Sequence, residues 1–550
     1  MNYFNKSSLF AAALVSCLVT ACGAPAERDG AQGLIDGPAT EVPTPIDSPS
    51  PSTPPVGDIP IDAPQAGDSP TEAPQAGEVP SEPSQGQPPS GQNEGSGPFP
   101  LPSTPPAAPP VTAASYKREW VVSTTGKDTA AGTAAAPLRT ISRAITLAGP
   151  GELIRVRAGT YAERVLIMGS VRHGTASAPI TLLGEGKPRI VLGSQSGALM
   201  VVERSHWIIR GFNIDVENRP ALGVAFTGNL QGTFLADSEI HRARYGAGVS
   251  FHNGANGATL ENNNIHHHVI AGQDSHGVMI QPTARNITVR NNVIHDNSGD
   301  SIQCYSEDGS MPSAPADGIL IEGNDLYGNY EQGLDIKTCT NVTVRRNKMH
   351  NSKGNGAMVV HMSAKNILIE ENDFYESGLA IGVGGNRYGP MPSGIIIRRN
   401  LIRDMKTALG VGGGLQIANS VGTQVYNNTF TRLQAAALIV GSGQGGPTQD
   451  MVVKNNIIDA ASAVKLGSQA PGLKMGSNLY RPGATFLKGG SSLKLAQWRG
   501  QGFDGNSLEG NAQLNTTTLA PGPAAVDRGE KLGLEFCGAG PDIGAVETGC

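Results

Sequence analysis

Aromatic side chains make up only 5% of this sequence and charged ones only 16%. Helical bundles and coiled coils need Leu, Lys and Glu at helical spacing, so that balance argues against both. Long apolar runs are also missing. One stretches from Leu9 to Val19, too short for a stable membrane span, and no other is long or apolar enough to cross a bilayer. Basic residues are nearly absent from one part of the chain. Residues 23–115 hold 23 of the 39 prolines, twelve acids and a single base, Arg28, and so carry a formal charge of −11. With Lys6 at the N-terminus, residues 116–550 are left at +4, against −6 for all 550 residues. The acidity therefore belongs to a linker. The mildly basic remainder suits an anionic substrate but gives no reason to expect nucleic acid as a partner. What the sequence has in plenty is glycine, 72 residues, and proline, 39.

The N-terminus reads as a targeting segment. In Met1–Ala21 the single base Lys6 precedes the apolar run, which ends at small residues, the pattern of an export signal. Leu18-Val19-Thr20-Ala21-Cys22 resembles the bacterial lipoprotein box. That resemblance implies lipidation of Cys22 and a protein in the cell envelope or outside it, touching the membrane through its anchor alone. An ordinary signal peptide cut near Ala24 is the alternative. Segment 22–115 is Pro/Ser/Gly-rich and repeats Ala63-Pro64-Gln65-Ala66-Gly67 as Ala73-Pro74-Gln75-Ala76-Gly77. It cannot bury enough apolar surface to offset chain entropy, and is expected to be a disordered tether.

From about residue 230 one phrase recurs: two or three β-formers, an Asn, an apolar residue, His or Tyr, a turn and a second strand. The aligned asparagines are Asn263, Asn292, Asn324, Asn347, Asn372, Asn400, Asn428 and Asn456. A variable period near 25 residues with short strands and no helices predicts a β-solenoid, one coil per repeat. Asn at a fixed corner can bridge to the next coil as a ladder. Two positions on, Ile265, Ile294, Leu326, Met349, Phe374, Ile402, Phe430 and Ile458 should stack as an internal apolar column. A propeller or sandwich would need tight Asn-Gly or Asp-Gly hairpins, which are sparse. The expected fold class is an all-β, right-handed parallel β-helix over 116–550, with a closing segment from about 472, and a monomer is expected.

The start of that domain carries a family resemblance. Glu119-Trp120-Val121-Val122-Ser123, Gly126-Lys127-Asp128, Pro137-Leu138-Arg139-Thr140-Ile141 and Ile154-Arg155-Val156-Arg157-Ala158-Gly159-Thr160-Tyr161 resemble the opening of secreted β-helix polysaccharide lyases of the pectate lyase family 9 type. The resemblance implies a short amphipathic helix, about Thr140–Ala148, plugging the first coil and protecting apolar core and strand edges. Pro541-Asp542-Ile543-Gly544-Ala545-Val546-Glu547 resembles the closing segment of many extracellular β-helix proteins.

Aligning the second strand of each coil places Ser250, Met279, Gln303 and Asp335 in one outward column, with His252, Gln281, Tyr305 and Lys337 beside it. Later strands are small and neutral there, so a site is expected around 275–361, with Gln303, Tyr305, Gln281 and His252 as substrate-binding candidates. Asp274, Asp300, Glu331 and Asp335 fall on adjacent coils about 5 Å apart. Uncompensated carboxylates at that spacing repel, and a hard cation such as Ca²⁺ is a natural partner. A hydrated polar strand edge stabilised by Lys337 and Arg345 is the plainer reading. Ser298-Gly299-Asp300-Ser301-Ile302 with Glu331-Gln332-Gly333-Leu334-Asp335 resembles the calcium-binding Asp and the Asp-Asp-Gly-x-Asp motif of the same lyases. By that resemblance Asp300, Glu331 and Asp335 are Ca²⁺ ligands, with Gln332 standing where a second Asp is usual.

The family's catalytic lysine follows a Gly-Asn-Gly-x run. Here Gly354-Asn355-Gly356-Ala357 is followed by Met358, which cannot accept a proton. Lys337 or His361 is left as the candidate base, and an ion pair with Asp335 is an equal reading for Lys337. The resemblance thus implies calcium-assisted β-elimination on an acidic polysaccharide. A catalytically silent glycan-binding or adhesion protein is the alternative. His266-His267-His268 does not suit zinc, because consecutive residues alternate in direction; His241, His266, His295 and His350 are expected to stack at a corner. Of the cysteines, Cys17 leaves with the signal, Cys537 and Cys550 are expected to pair, and Cys304 and Cys339 to stay unpaired.

Overall fold

A computed structural model describes residues 106–108, 116–305, 312–354, 356–384, 390–443, 446–467 and 470–550. The signal segment, Cys22 and the tether expected over 22–115 lie outside the described residues except for 106–108. Each coil contributes one strand to each of three sheets, parallel throughout except for the last strand of the third, Ser491–Leu493, which pairs antiparallel with Thr485–Lys488, and the coils wind into a right-handed solenoid. Sheet A runs from Arg118–Val122 to Lys474–Gly476, sheet B from Thr160–Ala162 to Leu508–Glu509, and sheet C from Val165–Ile167 to Ser491–Leu493.

The strands form because β-branched and aliphatic residues alternate inward, where each stacks on its equivalent in the next coil. The column Ile265, Ile294, Leu326, Met349, Phe374, Ile402, Phe430 and Ile458 is in register and fully buried. Beside it the asparagines form a continuous ladder. Asn347, for example, accepts from the backbone N and Nδ2 of Asn324 (both 2.9 Å) and donates to Ile321 O, Arg345 O and Asn372 Oδ1 (each 3.0 Å). Asn478 extends the ladder one coil further. Such amides satisfy backbone groups that the corner removes from the sheets.

Helix Ile141–Leu147 covers the first coil. Thr140 caps it by accepting from Arg143 N, and Ile141, Ala144 and Ile145 enter the core. At the other end helix Leu495–Arg499 presents Leu495 and Trp498 to the last coil. After residue 509 the closing segment doubles back along the outside. Gly544 N bonds Asn455 O (2.8 Å), Asn427 Nδ2 bonds Asp542 O (2.9 Å), and Arg399 reaches Glu535 O (2.6 Å). Ile543 packs with Ile457, Leu479, Ala512 and Ala525 in a small second core. Pro541–Glu547 therefore clamps the flank of earlier coils.

Cys537 pairs with Cys550 as expected, but Cys304 and Cys339 also form a disulfide, with Cα atoms 6.2 Å apart. Strand alternation turns Cys304 inward. Cys339 sits at a corner, where alternation does not apply, and turns inward beneath it; both are fully buried. On the outer face of sheet A, Glu261, Arg290, Glu322, Arg345, Glu370 and Arg398 alternate in register, and Ala108 N donates to Glu261 Oε2 (3.0 Å).

Candidate functional site

The register of sheet C places the expected residues together. Ser250, Met279, Gln303, Asp335 and Val359 form one outward column. His252, Gln281, Tyr305, Lys337 and His361 follow one residue beyond an inward side chain on the same five coils, forming a second. On either side of the first column the strands turn Val249 and Phe251, Ile302 and Cys304, and Leu334 and Ile336 into the core. Although outward, Gln303 and Asp335 are only 3% and 5% exposed. The longer second column folds over them: His361 Nε2 lies 2.8 Å from Asp335 Oδ1 and Lys337 Nζ 3.6 Å from Oδ2. The Lys337 ammonium also sits 5.9 Å from the Tyr305 ring centroid. Further along, His252 Nδ1 and Gln281 Nε2 both reach Ser250 Oγ, at 3.1 and 3.2 Å. His252 is three coils from Lys337, about 14 Å at the spacing of adjacent strands.

Asp300 is fully buried at the turn into strand Ile302–Cys304. It accepts from Gln332 N through Oδ1 (2.9 Å) and from Gln303 Nε2 through Oδ2 (3.1 Å). His276, one coil earlier, was invisible to motif reasoning yet stands against it. The Asp300 backbone N donates to His276 Nδ1 (2.9 Å), and Asp300 Oδ2 is 3.2 Å from that nitrogen. Gly299 makes this approach possible, since a Cβ there would lie 2.6 Å from the ring. Donor atoms of His276, Asp300 and Glu331 converge within 4.8 Å of one another. Asp300 and Glu331 meet at His276, while Asp335 faces His361 and Lys337 and stays linked to Asp300 through Gln303 Nε2, 3.1 Å from Asp300 Oδ2 and 3.5 Å from Asp335 Oδ2.

A second polar ladder, also missed in the sequence, sets the turns that carry the acids. His268 N donates to Asn297 Oδ1 (3.1 Å), and Asn297 N and Nδ2 donate to Asn329 Oδ1 (3.1 and 2.9 Å). Asn329 in turn donates to Ser301 Oγ and to Tyr327 O (3.0 Å). Spacing alone was the available signal: Asn297 and Asn329 each fall five residues after a ladder asparagine, Asn292 and Asn324.

The electrostatics follow the division. Burial, reinforced by Asp300, Asp274 and Asp335, pushes Glu331 up to about 8. Burial likewise raises Asp300 against the opposing contact with His276. Burial alone would raise Asp335 too, but the charge and hydrogen bond of His361, with Lys337, hold it below the usual carboxylate range. The site therefore combines a carboxylate pair pushed toward its neutral forms with a carboxylate held ionised beside an imidazole. Met358, where the family resemblance expects a lysine, points into the core and is 1% exposed; the outward partner of Asp335 in that strand is Val359. Asn355 lies outside the described residues.

Residues 120–314 match the profile of the Pel9A-like right-handed β-helix region, and 313–458 and 360–492 that of the general right-handed β-helix region. No curated protein matches the chain. Among solved structures it is similar to pectate lyase Pel9A at 17% identity and a TM-score of 0.40, covering 79% of this chain and 97% of that one. It is also similar to the PL6 family alginate lyase AlyGC, at 15% identity and a TM-score of 0.48, covering 72% of this chain. The chain spans 58% of that alginate lyase. A third is the GH136 lacto-N-biosidase from Eubacterium ramulus, at 13% identity and a TM-score of 0.41, covering 65% and 68% of the two chains. At such identities the likeness is one of fold.

Proposed function

We propose that this β-helix protein cleaves an acidic polysaccharide, pectate or another uronan, by β-elimination assisted by a divalent cation such as Ca²⁺. The observation that carries the reading is the Asp335–His361 pair beside the Asp300–Glu331 pair on one outer face of sheet C. The match of 120–314 to the Pel9A-like region supports it. Two features fit a hard cation. Gln303 Oε1 is buried without a hydrogen-bond partner among the described residues, and Glu331 sits in a surplus of negative charge. Asp300, Glu331 and Gln303 Oε1 would hold the ion; Asp335, read from sequence as a third ligand, is committed to His361 and Lys337. A bound cation would neutralise the uronate carboxylate and acidify the adjacent C–H.

His361 is the better placed of the two candidate bases. Its Nε2–H donates to Asp335, which leaves the Nδ1 lone pair to accept the C5 proton, as in other carboxylate–imidazole pairs. The C–H electron pair then forms the C4–C5 double bond and the C4–O bond breaks. The Lys337 ammonium, on the adjacent coil, attracts the uronate and can protonate the leaving oxygen. Gln281, His252 and Tyr305 extend the same groove wall and would contact neighbouring sugars. The inward Met358 favours the second reading, a glycan-binding protein without catalysis. Incubating the full chain with polygalacturonate, alginate and other uronans, with and without Ca²⁺, separates the two. Ultraviolet absorbance of unsaturated products supports cleavage, and retention on uronan without product supports binding alone. By the lipoprotein resemblance we also propose lipid anchoring through Cys22, which a mass shift of the mature N-terminal peptide would reveal.

A further inference from the structure

The outer face of sheet B carries a column of rings, His241, His266, His295, Tyr327, His350 and Tyr375, stacked with centroids 4.5–5.3 Å apart. Every imidazole in it is anchored alike. Nε2 faces the first residue of the preceding coil's strand: His241 to Asn213 Oδ1 (3.0 Å), His266 to Glu239 Oε1 (3.2 Å), His295 to Asn264 Oδ1 (3.1 Å), and His350 to Asp325 Oδ1 (2.9 Å). Where that acceptor is a carboxylate, Nε2 must carry the proton, so Nδ1 presents a lone pair. At His350 the following corner residue answers correctly, since Asn351 Nδ2 donates to Nδ1 (2.9 Å).

At two adjacent coils the corner residue is itself a metal-ligating group. Asp296 Oδ2 lies 2.8 Å from His295 Nδ1, and His267 Nδ1 lies 2.7 Å from His266 Nδ1. Asp296 cannot donate as Asn351 does, so in the tautomer that gives Nε2–H to Asn264 Oδ1 the His295 Nδ1 lone pair faces a carboxylate oxygen. His267 resolves its own contact by donating Nδ1–H to His266, which leaves its Nε2 lone pair free. Both corner residues have left-handed backbones (φ 56° and 52°), the conformation shared by Asn351, which turns each side chain back beside its ring. The ligand atoms of His267, His295 and Asp296 lie within 4.8 Å of one another. Tetrahedral zinc sites space their ligands about 3.3 Å apart, so closing the site asks for rotation of His267, which is exposed.

We propose that His267 Nε2, His295 Nδ1 and Asp296 bind a divalent transition metal of the zinc class, the fourth position going to water. His266 and Asn264 act from behind, fixing the tautomers of His267 and His295. Two imidazoles and one carboxylate select zinc, copper or nickel over Ca²⁺, which separates this site in chemistry as well as in place from the carboxylates on sheet C. An ion here would tie two successive coils together at their corner. The site does not follow from His266-His267-His268 as a run; it uses one member of that run and two residues from the next coil.

The test uses the full chain, with Ca²⁺ in excess. Zinc titration calorimetry should give one site per chain, and Co²⁺ should give visible bands of a tetrahedral complex. His267→Ala and Asp296→Asn should each weaken zinc binding at least about tenfold, while Asp300→Asn leaves it unchanged. Asp296→Asn recreates the Asn351–His350 pairing, so its melting temperature without metal should match or exceed that of the parent, showing that lost binding is not lost folding. No zinc uptake at millimolar concentration would overturn the proposal and leave His295 and Asp296 as an ordinary ion pair, in which case Asp296→Asn would lower the melting temperature. Uptake that survives the His267→Ala/Asp296→Asn double variant, or that disappears in Asp300→Asn, would equally overturn it by placing the ion elsewhere.

Discussion

Asn329→Ala isolates the link between the second polar ladder and the site. Asn329 is fully buried, accepts from Asn297 N and Nδ2, and donates to Tyr327 O and Ser301 Oγ. Truncation strands the Asn297 N–H, for which no second acceptor is present among the described residues, at about 1–3 kcal/mol. It also removes two donated hydrogen bonds worth about 1 kcal/mol each and leaves a small void, so a loss of about 3–5 kcal/mol is expected. Asn347→Ala, in the first ladder and equally buried, should cost a similar amount. The two differ in place. Because each coil of a solenoid contacts mainly its neighbours, the damage should stay local. Urea unfolding followed by circular dichroism measures the loss, and hydrogen exchange locates it. In Asn329→Ala the segments 297–301 and 329–333, which carry Asp300 and Glu331, should exchange faster, whereas Asn347→Ala should leave them slower than the coils around 321–324. A loss below about 1 kcal/mol, or faster exchange spread evenly along the solenoid, would refute the reasoning.

Three further outcomes are expected. His361→Ala should lower turnover on a uronan by about 10²–10⁴-fold, with Asp335→Asn close behind, while Lys337→Ala raises KM as well; steady-state kinetics in which Lys337→Ala alone abolishes turnover would move the base to Lys337. Burial alone would raise Asp215, but Arg242, the Glu217 N–H and Arg189 hold it at about 2. A depressed carboxylate stabilises the fold above its unfolded value of 3.8 and loses that contribution as pH falls towards 2. With both arginines partly solvated the term is about 1–2 kcal/mol, and acid titrations of stability for the parent and Asp215→Asn should converge at low pH; parallel curves would be the contrary result. Cys304→Ser/Cys339→Ser opens a link spanning 35 residues and should cost about 4 kcal/mol in denaturant unfolding, and an unchanged midpoint would show that the thiols are free in solution.

Much of this molecule was legible before folding. The recurring Asn and the apolar residue two positions on each have one environment in a solenoid, so their spacing specified coil length, strand register and the inward column from Ile265 to Ile458. Period-2 alternation likewise placed Gln303 and Asp335 outward and Cys304 inward. Alternation holds only inside strands. At corners the backbone turns through left-handed residues, and the direction of a side chain there depends on the local turn. For that reason Cys339 was misjudged, and the convergence of His267 with His295 and Asp296 was not visible in a run of three histidines.

The division of the acids is a matter of tertiary structure for a related reason. Sequence motifs put Asp300, Glu331 and Asp335 at similar heights, but partnership depends on which neighbours fold over them. His276 arrives from the coil before, admitted by Gly299, and takes the side of Asp300 and Glu331; His361 arrives from the coil after and claims Asp335. Residues that are 24 and 26 positions apart along the chain become neighbours only when successive coils stack about 4.8 Å apart. Composition and periodicity thus determined the solenoid and the face that carries the candidate site, because burial repeats with every coil. The partners of Asp300 and Asp335 from neighbouring coils, the Cys304–Cys339 disulfide and the backward clamp of Pro541–Glu547 were decided by contacts between coils, which no local pattern encodes.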